Sequence, residues 1–295
     1  MKSNFLTRVI TGLALVLFTV SFFFLRNISV KLFDIYTAFL IIVGTYELSS
    51  KLFLFKITKN EDGKEVKTLD TDGASVTAFV ITMLSAFLVV PAFDCLKPLT
   101  AYCVIMAEAA IIAIVSIFSK EKGKLALKGL LTAVYPKLIM TAFLYANSLE
   151  NNSLLALILI FTIAPATDVM AYLVGSAVKG KKLCPKISPN KTISGAIGGL
   201  SGGIIVAVAL LFILKPVTDV KLVWLVFAAL GIFGSVLTQI GDLTESYIKR
   251  KLGVKDMGFI FPGHGGVLDR FDSVLATSPI ILILTLFPEF VALAG

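Results

Sequence analysis

Residues 193–214 read ISGAIGGLSGGIIVAVALLFIL, and this stretch decides the class of fold. It contains no charged residue, and a helix of roughly 20 apolar residues is long enough to cross the hydrocarbon core of a membrane. The rest of the 295-residue chain has the same character, with 57% hydrophobic residues, 16% charged residues and a mean hydropathy of +0.93. Soluble domains contain about 45–50% apolar and about 25% charged residues. We therefore predict an all-α polytopic integral membrane protein.

Composition also excludes other classes of protein. Disordered chains are polar and highly charged, which this chain is not. The three cysteines, Cys95, Cys103 and Cys184, are too scattered for a disulfide framework or a zinc cluster. A formal net charge of +8 would indicate a nucleic-acid partner in a soluble protein, but in a membrane protein it marks the cytoplasmic side. We therefore expect the lipid bilayer, and no nucleic acid, as a partner.

Hydropathy predicts about nine spanning helices. Asp34 and Glu47 shorten the apolar run of the second span, and we expect both carboxylates to reach the membrane interface. Pro136 and Lys137 inside the fifth span predict a kink, or a helix that faces protein rather than lipid. Glu108 lies deep in the fourth span and has no obvious partner. The predicted spans are residues 9–25, 32–48, 74–93, 101–118, 125–145, 154–174, 193–214, 222–243 and 268–287.

Lysine and arginine positions predict the orientation. With nine spans, 21 of the 27 lysines and arginines lie in the N-terminus and in the loops after spans two, four, six and eight. Five lie on the other side, and Lys137 lies within a span. Cytoplasmic loops carry an excess of basic residues, so we predict a cytoplasmic N-terminus and an outside C-terminus, in a bacterial-type plasma (inner) membrane. The first span lacks a small-residue cleavage site, so we expect it to be retained rather than removed as a signal peptide.

Polar residues divide the chain into two regions. Residues 1–150 form about five predicted spans and contain few polar residues that need explaining, whereas residues 151–295 carry many at the cytoplasmic face. We interpret residues 1–150 as N-terminal transmembrane helices and residues 151–295 as a catalytic transmembrane region with its active site facing the cytoplasm.

The loop after the sixth span has the composition of a phosphate-binding segment. Asp168 lies near the cytoplasmic end of that span, and five lysines follow between residues 171 and 199. Lysines and hydroxyls beside glycines are suited to holding phosphate oxygens, although a basic loop attracted to anionic lipid has the same composition. The candidate phosphate contacts in this loop are Lys186, Ser188, Asn190, Lys191, Thr192 and Ser194.

Glycines with regular spacing enter the seventh span. Gly195, Gly199 and Gly203 lie four residues apart and therefore share one helix face. Such a stripe predicts close helix packing, either within one chain or in a homodimer. A phosphate that approaches the helix N-terminus is the alternative interpretation.

The last cytoplasmic loop, residues 241–273, carries the most chemistry. Asp242 ends the eighth span, and Asp269 and Asp272 fall three residues apart at the start of the ninth. Either aspartate alone is explained as a helix cap, but three carboxylates at one membrane level predict a hard divalent cation, Mg²⁺, with a second metal ion left open. His264 lies in a tight turn of glycines, and we interpret it as a backbone-orienting or phosphate-contacting residue rather than a base. The cations of this loop are Lys249, Arg250, Lys251, Lys255 and Arg270.

A long ordered motif in the same loop resembles a known family. Residues 246–272 follow the pattern S-x-x-K-R-x4-K-D-x-G-x3-P-G-H-G-G-x-L-D-R-x-D, while D-x3-Y-x2-G begins at Asp168 and K-x-S-P-x-K-T begins at Lys186. Over residues 168–273 these motifs resemble those of the phosphatidate cytidylyltransferases, also called CDP-diacylglycerol synthases. The chain departs from the family pattern at Ser194, where an acidic residue is usual, and at Ser176, where a basic residue is frequent.

The resemblance implies transfer of the cytidylyl group of CTP to phosphatidic acid, which yields pyrophosphate and CDP-diacylglycerol for phospholipid biosynthesis. It implies Asp242 and Asp269 as metal ligands with Asp272 close by. The residues that we expect to be catalytic are Asp242, Asp269, Lys255, Asp168 and Asp256. The residues that we expect to bind substrate are Lys186, Ser188, Asn190, Lys191, Thr192, Lys249, Arg250, His264, Gly265, Gly266 and Arg270.

The reaction suits these residue types. A lipid phosphate is largely ionised near pH 7, because its second pKa is about 6, so no strong general base is needed. The main requirement is neutralisation and alignment of two anions, which metal ions and fixed cations supply. The alternatives are a CTP-dependent polyprenol or other lipid kinase, and a cytidylyltransferase for another phospholipid such as an archaeal-type ether lipid. A secondary transporter would instead predict broken helices and polar groups near the bilayer midplane, and a purely structural membrane protein is the remaining alternative.

Overall fold

The helices of the computed structural model follow the predicted spans. The structure describes residues 2–59, 65–96, 98–149, 153–214 and 223–280. Within these ranges, eight helical segments are long and apolar enough to cross a membrane, which confirms the prediction of an all-α polytopic membrane protein. The predicted ninth span begins with a helix at Leu268, and its part after residue 280 lies outside the described residues. The α-helices are α1 (Lys2–Arg26), α2 (Val30–Phe53), α3 (Gly73–Cys95), α4 (Pro98–Ser116), α5 (Lys122–Thr132), α6 (Ile139–Ser148), α7 (Ser153–Val178), α8 (Ile193–Leu214), α9 (Val223–Lys251) and α10 (Leu268–Thr277).

The second and fifth spans show how polar residues are accommodated inside apolar helices. In α2, the side chains of Asp34 and Glu47 are buried in protein, and their place at the membrane interface stays a prediction. In the fifth span, the predicted kink is present, because a π-helical segment, Ala133–Leu138, separates α5 from α6. Tyr135 within it has extended backbone angles of −118° and 119°, and the following Pro136 has no N–H to donate.

Two short pairs of antiparallel strands lie in two of the loops predicted to be cytoplasmic, after α2 and after α7. In the first, β1 (Phe55–Lys59) pairs antiparallel with β2 (Glu65–Leu69), with Phe55 opposite Leu69. The second pairs β3 (Lys182–Cys184) with β4 (Ser188–Thr192), and a register irregularity lies between Lys182 and Cys184. The Ile, Thr and Val residues of β1 and β2 favour strands.

The chain divides into two compact units. The first unit comprises Met1–Leu144 and Asp256–Arg270, and the second comprises Tyr145–Lys255 and Phe271–Gly295. These boundaries come from packing and do not test the division at residue 150, which concerns function and stays a prediction. In the first unit, α2 packs against α1, α3 and α5, and α4 packs against α3 and α5. Its buried apolar residues include Phe33, Tyr36, Leu40, Ile41, Leu48, Ile112, Leu125 and Met140.

In the second unit, α8 packs against both α7 and α9. The glycine stripe explains this close approach. A Cβ atom on Gly195 would lie 2.7 Å from the Ala171 carbonyl oxygen of α7, and one on Gly203 would lie 3.1 Å from the Gly231 carbonyl oxygen of α9. The prediction of close helix packing is therefore confirmed within one chain, and the stripe provides no support for a homodimer.

Candidate active site

A lysine–aspartate pair lies at the centre of the polar residues in the second unit. Lys191 at the end of β4 contacts Asp242 of α9, with 2.5 Å between Nζ and Oδ2. About a quarter of each side chain is exposed, 24% for Lys191 and 29% for Asp242. Both charges thus keep access to solvent while the hairpin holds the ammonium group against the carboxylate. An anionic substrate at this place would meet an oriented cation.

Two further aspartates belong to the same polar group. Asp168 of α7 hydrogen-bonds with the Ser273 side chain and interacts electrostatically with Asp242, Asp272 and Lys191. Asp272 of α10 likewise interacts with Asp242. Helices α7 and α9 therefore each place a carboxylate near Lys191, and α10 adds a third carboxylate beside Asp242. The second unit thus brings together four residues that the sequence predicted as site residues, namely Asp168, Lys191, Asp242 and Asp272.

Glu245 is a member of this group that the sequence analysis missed. Its side chain is fully buried, it hydrogen-bonds with Asp272, and its Oε2 accepts from Lys249 at 2.9 Å. The spacing contained a usable signal, because Asp242, Glu245 and Lys249 recur at three and four residues and so share one face of α9. The predicted substrate contact Lys249 is thus paired with Glu245 in the structure.

The hairpin before α8 combines one structural residue with several exposed ones. Thr192 is buried, and its hydroxyl accepts the Gly195 N–H at 3.0 Å, which caps the first turn of α8. The predicted phosphate contacts Lys186 and Asn190 are exposed, and Ser188 is half-buried. Thr192 therefore serves the local fold, while its neighbours remain accessible to a ligand.

The two departures from the family pattern have local roles. The Ser194 hydroxyl accepts the Gly180 N–H at 3.4 Å and lies 3.2 Å from the Thr192 hydroxyl. The exposed Ser176 donates to the Leu173 carbonyl oxygen at 3.0 Å. Both serines thus satisfy backbone or neighbouring hydroxyl groups of their own segment.

In the first unit, Asp269 organises the loop that precedes α10. Its Oδ2 accepts backbone N–H groups from Met257 at 2.7 Å, Gly258 at 3.2 Å and Gly266 at 2.8 Å. Charge-assisted hydrogen bonds of this kind are stronger than neutral ones. The residue predicted as a metal ligand therefore also holds the loop backbone.

The turn itself is tight at Phe261–Gly265. The Phe261 N–H donates to the Gly265 carbonyl oxygen at 2.9 Å. Gly263 and Gly265 have positive φ angles of 75° and 86°. Such angles favour glycine. Arg270, exposed and predicted to contact phosphate, donates from Nε to the His264 carbonyl oxygen at 2.7 Å. The backbone of the turn thus positions the Arg270 side chain.

His264 is half-buried in this turn. Burial lowers the pKa of His264, and the positive charges of Arg270 and Arg8 lower it further. The imidazole is therefore neutral near pH 7 and can contact a phosphate only as a neutral donor. His264 is therefore not suited to bind phosphate as a cation.

Of the remaining predicted residues, Arg250, Lys255 and Asp256 are exposed. Gly265 ends the turn just described and is half-buried, and Gly266, which follows it, is buried. Among the residues that the structure describes, no group of three or more His, Cys, Asp or Glu side chains is arranged as a ready metal site. The donor chemistry of Asp242 and Asp272 nevertheless fits Mg²⁺, which prefers oxygen ligands and commonly takes only one or two carboxylates alongside water and substrate phosphates.

Comparisons with known proteins agree with this chemistry. A model of the cytidylyltransferase family matches residues 6–287, nearly the whole chain. A phosphatidate cytidylyltransferase of Staphylococcus haemolyticus is 44% identical over 142 residues, which cover 48% of this chain and 53% of that protein. The Bacillus subtilis protein of the same name is 39% identical over 154 residues, which cover 52% of this chain and 56% of the relative. The chain thus spans about half the length of the curated relatives it matches. From the family match, we conclude that the chain belongs to the cytidylyltransferase family.

Proposed function

We propose that the protein transfers the cytidylyl group of CTP to phosphatidic acid, giving CDP-diacylglycerol and pyrophosphate. The observation that carries this proposal is the arrangement of Lys191 against Asp242, with Asp168 and Asp272 beside them, in the second unit. Family membership and the name of the relatives support the same chemistry. The site is rich in fixed charge, which a reaction between two phosphate anions requires.

In the proposed reaction, an oxygen of the lipid phosphate attacks the α-phosphorus of CTP. A new P–O bond forms there, the bond to the β-phosphate oxygen breaks, and pyrophosphate leaves with the electron pair. The lipid phosphate is already ionised near pH 7, so the side chains do not need to remove a proton. Lys191 and the exposed Lys255 and Arg270 would contact phosphate oxygens, while Asp242 orients the Lys191 ammonium group.

We propose that this activity requires Mg²⁺ held by the carboxylates predicted from the sequence, Asp242, Asp269 and Asp272. When bound, the ion would neutralise phosphate charge and polarise the reacting phosphoryl group. Asp242 and Asp272 supply the carboxylate donors within the second unit. Asp269 would combine metal binding with its hydrogen bonds to the loop backbone.

The proposed setting is a bacterial inner membrane with the site at the cytoplasmic face. The excess of lysine and arginine in one set of loops supports this orientation. Lys191 and Lys255 belong to the loops predicted on that face. A lipid headgroup and a water-soluble nucleotide meet there without either crossing the membrane.

Purified protein in liposomes with phosphatidic acid, Mg²⁺ and radiolabelled CTP tests the proposal. Label at the α-phosphate is expected to enter lipid with equal release of pyrophosphate, and label at the γ-phosphate is expected to stay out of lipid. Chelation of Mg²⁺ with EDTA is expected to stop the reaction. Lipid labelled only from the γ-phosphate would make the protein a kinase, and the absence of any lipid product would contradict cytidylyl transfer.

Two aspartate variants separate catalysis from folding in the same assay. Asp242→Asn is expected to lower turnover by about 10²-fold or more, because one charged contact in such a site is worth several kcal/mol. Asp70→Asn, outside the predicted site, is the matched control and is expected to keep full activity. Both proteins should insert and purify as the wild type does. Near-normal turnover of Asp242→Asn would contradict the proposed metal and charge assignment.

A further inference from the structure

Glu47 of α2 is a buried carboxylate of the first unit that the proposed reaction leaves without a role. Glu47 is only 3% exposed and lies within a helix that is long and apolar enough to span a membrane. Burial of an ionised carboxylate is costly unless hydrogen bonds or cations compensate for the lost water. The partners of Glu47 therefore show what its position achieves.

The Glu47 oxygens accept hydrogen bonds from the start of α10. Oε1 accepts the Val267 N–H at 2.9 Å, and Oε2 accepts the Leu268 N–H at 2.9 Å. The first N–H groups of a helix have no partner in the helix itself and carry partial positive charge, so a carboxylate stabilises them. Glu47 thus caps α10 from a position 220 residues earlier in the chain.

The same carboxylate limits which residues the loop before α10 can contain. A Cβ atom on Gly258 or on Gly266 would overlap with the Glu47 carboxylate. Neither glycine has a positive φ angle, so the backbone conformation does not require glycine at these positions. Glycine is required there because the Glu47 carboxylate lies too close for a Cβ atom. Two glycines of the motif K-D-x-G-x3-P-G-H-G-G are therefore explained by a residue outside the motif.

Glu47 and Asp269 together hold the two ends of the loop. Asp269 accepts the N–H groups of Met257, Gly258 and Gly266, so the two carboxylates accept five backbone N–H groups between them. One helical turn after Glu47, the Lys51 ammonium group donates to the Met257 carbonyl oxygen. Helix α2 thus contributes an acceptor to one end of the loop and a donor to the other.

We propose that Glu47 is a positioning residue that fixes the backbone of residues 257–268 and thereby places Asp269 and Arg270 for the reaction. This inference rests on the proposed function, in which those two residues contact the metal ion and phosphate. Glu47 acts through backbone N–H groups and touches neither substrate. A displacement of about 1 Å in such groups can cost about 10²-fold in rate.

Hydrogen exchange measured by mass spectrometry tests the anchoring without any need for activity. Glu47→Gln keeps the size of the side chain but replaces one acceptor oxygen by an NH₂ group, which faces a backbone N–H. Exchange of the peptide covering residues 257–268 is expected to rise at least about tenfold in this variant, because a charge-assisted hydrogen bond is lost. Asp34→Asn, which changes another buried carboxylate of the same helix, is the matched control and is expected to leave that peptide unchanged.

Kinetics of the same variants test the consequence for catalysis. Glu47→Gln is expected to lower kcat by about 10- to 100-fold with KM for CTP within about threefold of the wild type, because positioning acts on the transition state. Glu47→Asp keeps both acceptor oxygens but is one methylene shorter, and we expect the same pattern with a smaller loss. Asp34→Asn is expected to keep the wild-type kcat.

The two readouts separate the failure of this inference from the failure of the proposed function. Unchanged exchange of residues 257–268 in Glu47→Gln would overturn the anchoring. Increased exchange with an unchanged kcat per folded molecule would overturn the positioning role. Equal losses of kcat and of thermal stability in Glu47→Gln and Asp34→Asn would reduce Glu47 to a general folding residue. A wild-type protein without transfer activity would overturn the proposed function, while the exchange data would still decide the anchoring.

Discussion

Glu108 and Lys137 form an ion pair inside the first unit, and both side chains are fully buried. The Lys137 Nζ lies 2.6 Å from Glu108 Oε2 and also donates to the Thr82 carbonyl oxygen at 3.4 Å. The Ser85 hydroxyl donates to the same carboxylate at 2.5 Å. Both charges are recognisable in the sequence, but their pairing is visible only in the structure. A kinked helix and a charge pair in apolar spans are features expected of a transporter. Here, however, the two charges pair with each other inside the protein.

A double-mutant cycle tests the energetic role of this pair. Glu108→Gln and Lys137→Met are each expected to lower the free energy of unfolding by about 3–5 kcal/mol, because each leaves an uncompensated buried charge. The double variant is expected to be more stable than either single one, since no buried charge remains. Unfolding in detergent micelles measures these values.

The exposed pair of Lys124 and Glu121 provides the control for that cycle. The Lys124 Nζ lies 3.5 Å from the Glu121 Oε1, and the Lys124 side chain is 76% exposed. Lys124→Met is expected to change stability by less than about 1 kcal/mol, as for other surface ion pairs. Additive losses in the Glu108 and Lys137 variants would show that the two side chains do not depend on each other.

Helices α8 and α9 approach so closely that glycine is required on both. Gly203 and Gly231 face each other, and a Cβ atom on Gly231 would lie 2.6 Å from the Ile204 Cα and 2.7 Å from the Gly203 carbonyl oxygen. These are backbone atoms, which cannot move aside as a flexible side chain can. The contact between these helices therefore depends on residues that contribute no side chain at all.

Gly231→Ala tests this contact. The variant is expected to lose about 1–3 kcal/mol of stability, because the added methyl group must push two backbones apart. Gly123→Ala in α5 is the matched control, since a Cβ atom there meets nothing within 4 Å. It is expected to be neutral or stabilising by up to about 1 kcal/mol, since alanine favours helix over glycine. Thermal unfolding in detergent compares the two, and equal stabilities would show that the helices have room to adjust.

At the scale of the whole molecule, eight apolar helical segments in the described ranges agree with the predicted series of spans. Apolar side chains on their outer faces are exposed, for example Leu17 at 59% and Ile213 at 74%. Such faces suit lipid rather than water, which accounts for the high apolar content of the chain. The predicted orientation assigns each connecting segment to one side of the membrane.

Two native cysteines test that orientation. Cys95 ends α3 on the predicted outer side, and Cys184 lies in β3 on the predicted cytoplasmic side. In variants that retain one of them, with the other cysteines replaced by serine, a membrane-impermeant maleimide added to intact bacterial cells is expected to label Cys95 and not Cys184. Permeabilised cells, in which both should react, are the control. Labelling of Cys184 alone from outside would invert the topology.

The sequence predicts the spans, the kink at Pro136 and the glycine contact of α8, because each of these depends on residues close together in the chain. Hydropathy is a local property, and the cost of placing polar backbone in lipid leaves helices as the way for such segments to cross. The motifs around Asp168, Lys191 and Asp242 could likewise be identified from residue types and spacing. Their metal and substrate contacts stay predictions.

Only the tertiary structure decided which partners the buried charges have. Glu47 accepts N–H groups of Val267 and Leu268, and Glu108 pairs with Lys137. The energy of a buried carboxylate depends on donors that arrive from distant parts of the chain, and no local pattern records which donors those are. The sequence by itself therefore determined that this is a multispanning membrane protein with a charged loop between its last two predicted spans. The fold decided which carboxylates hold that loop in place.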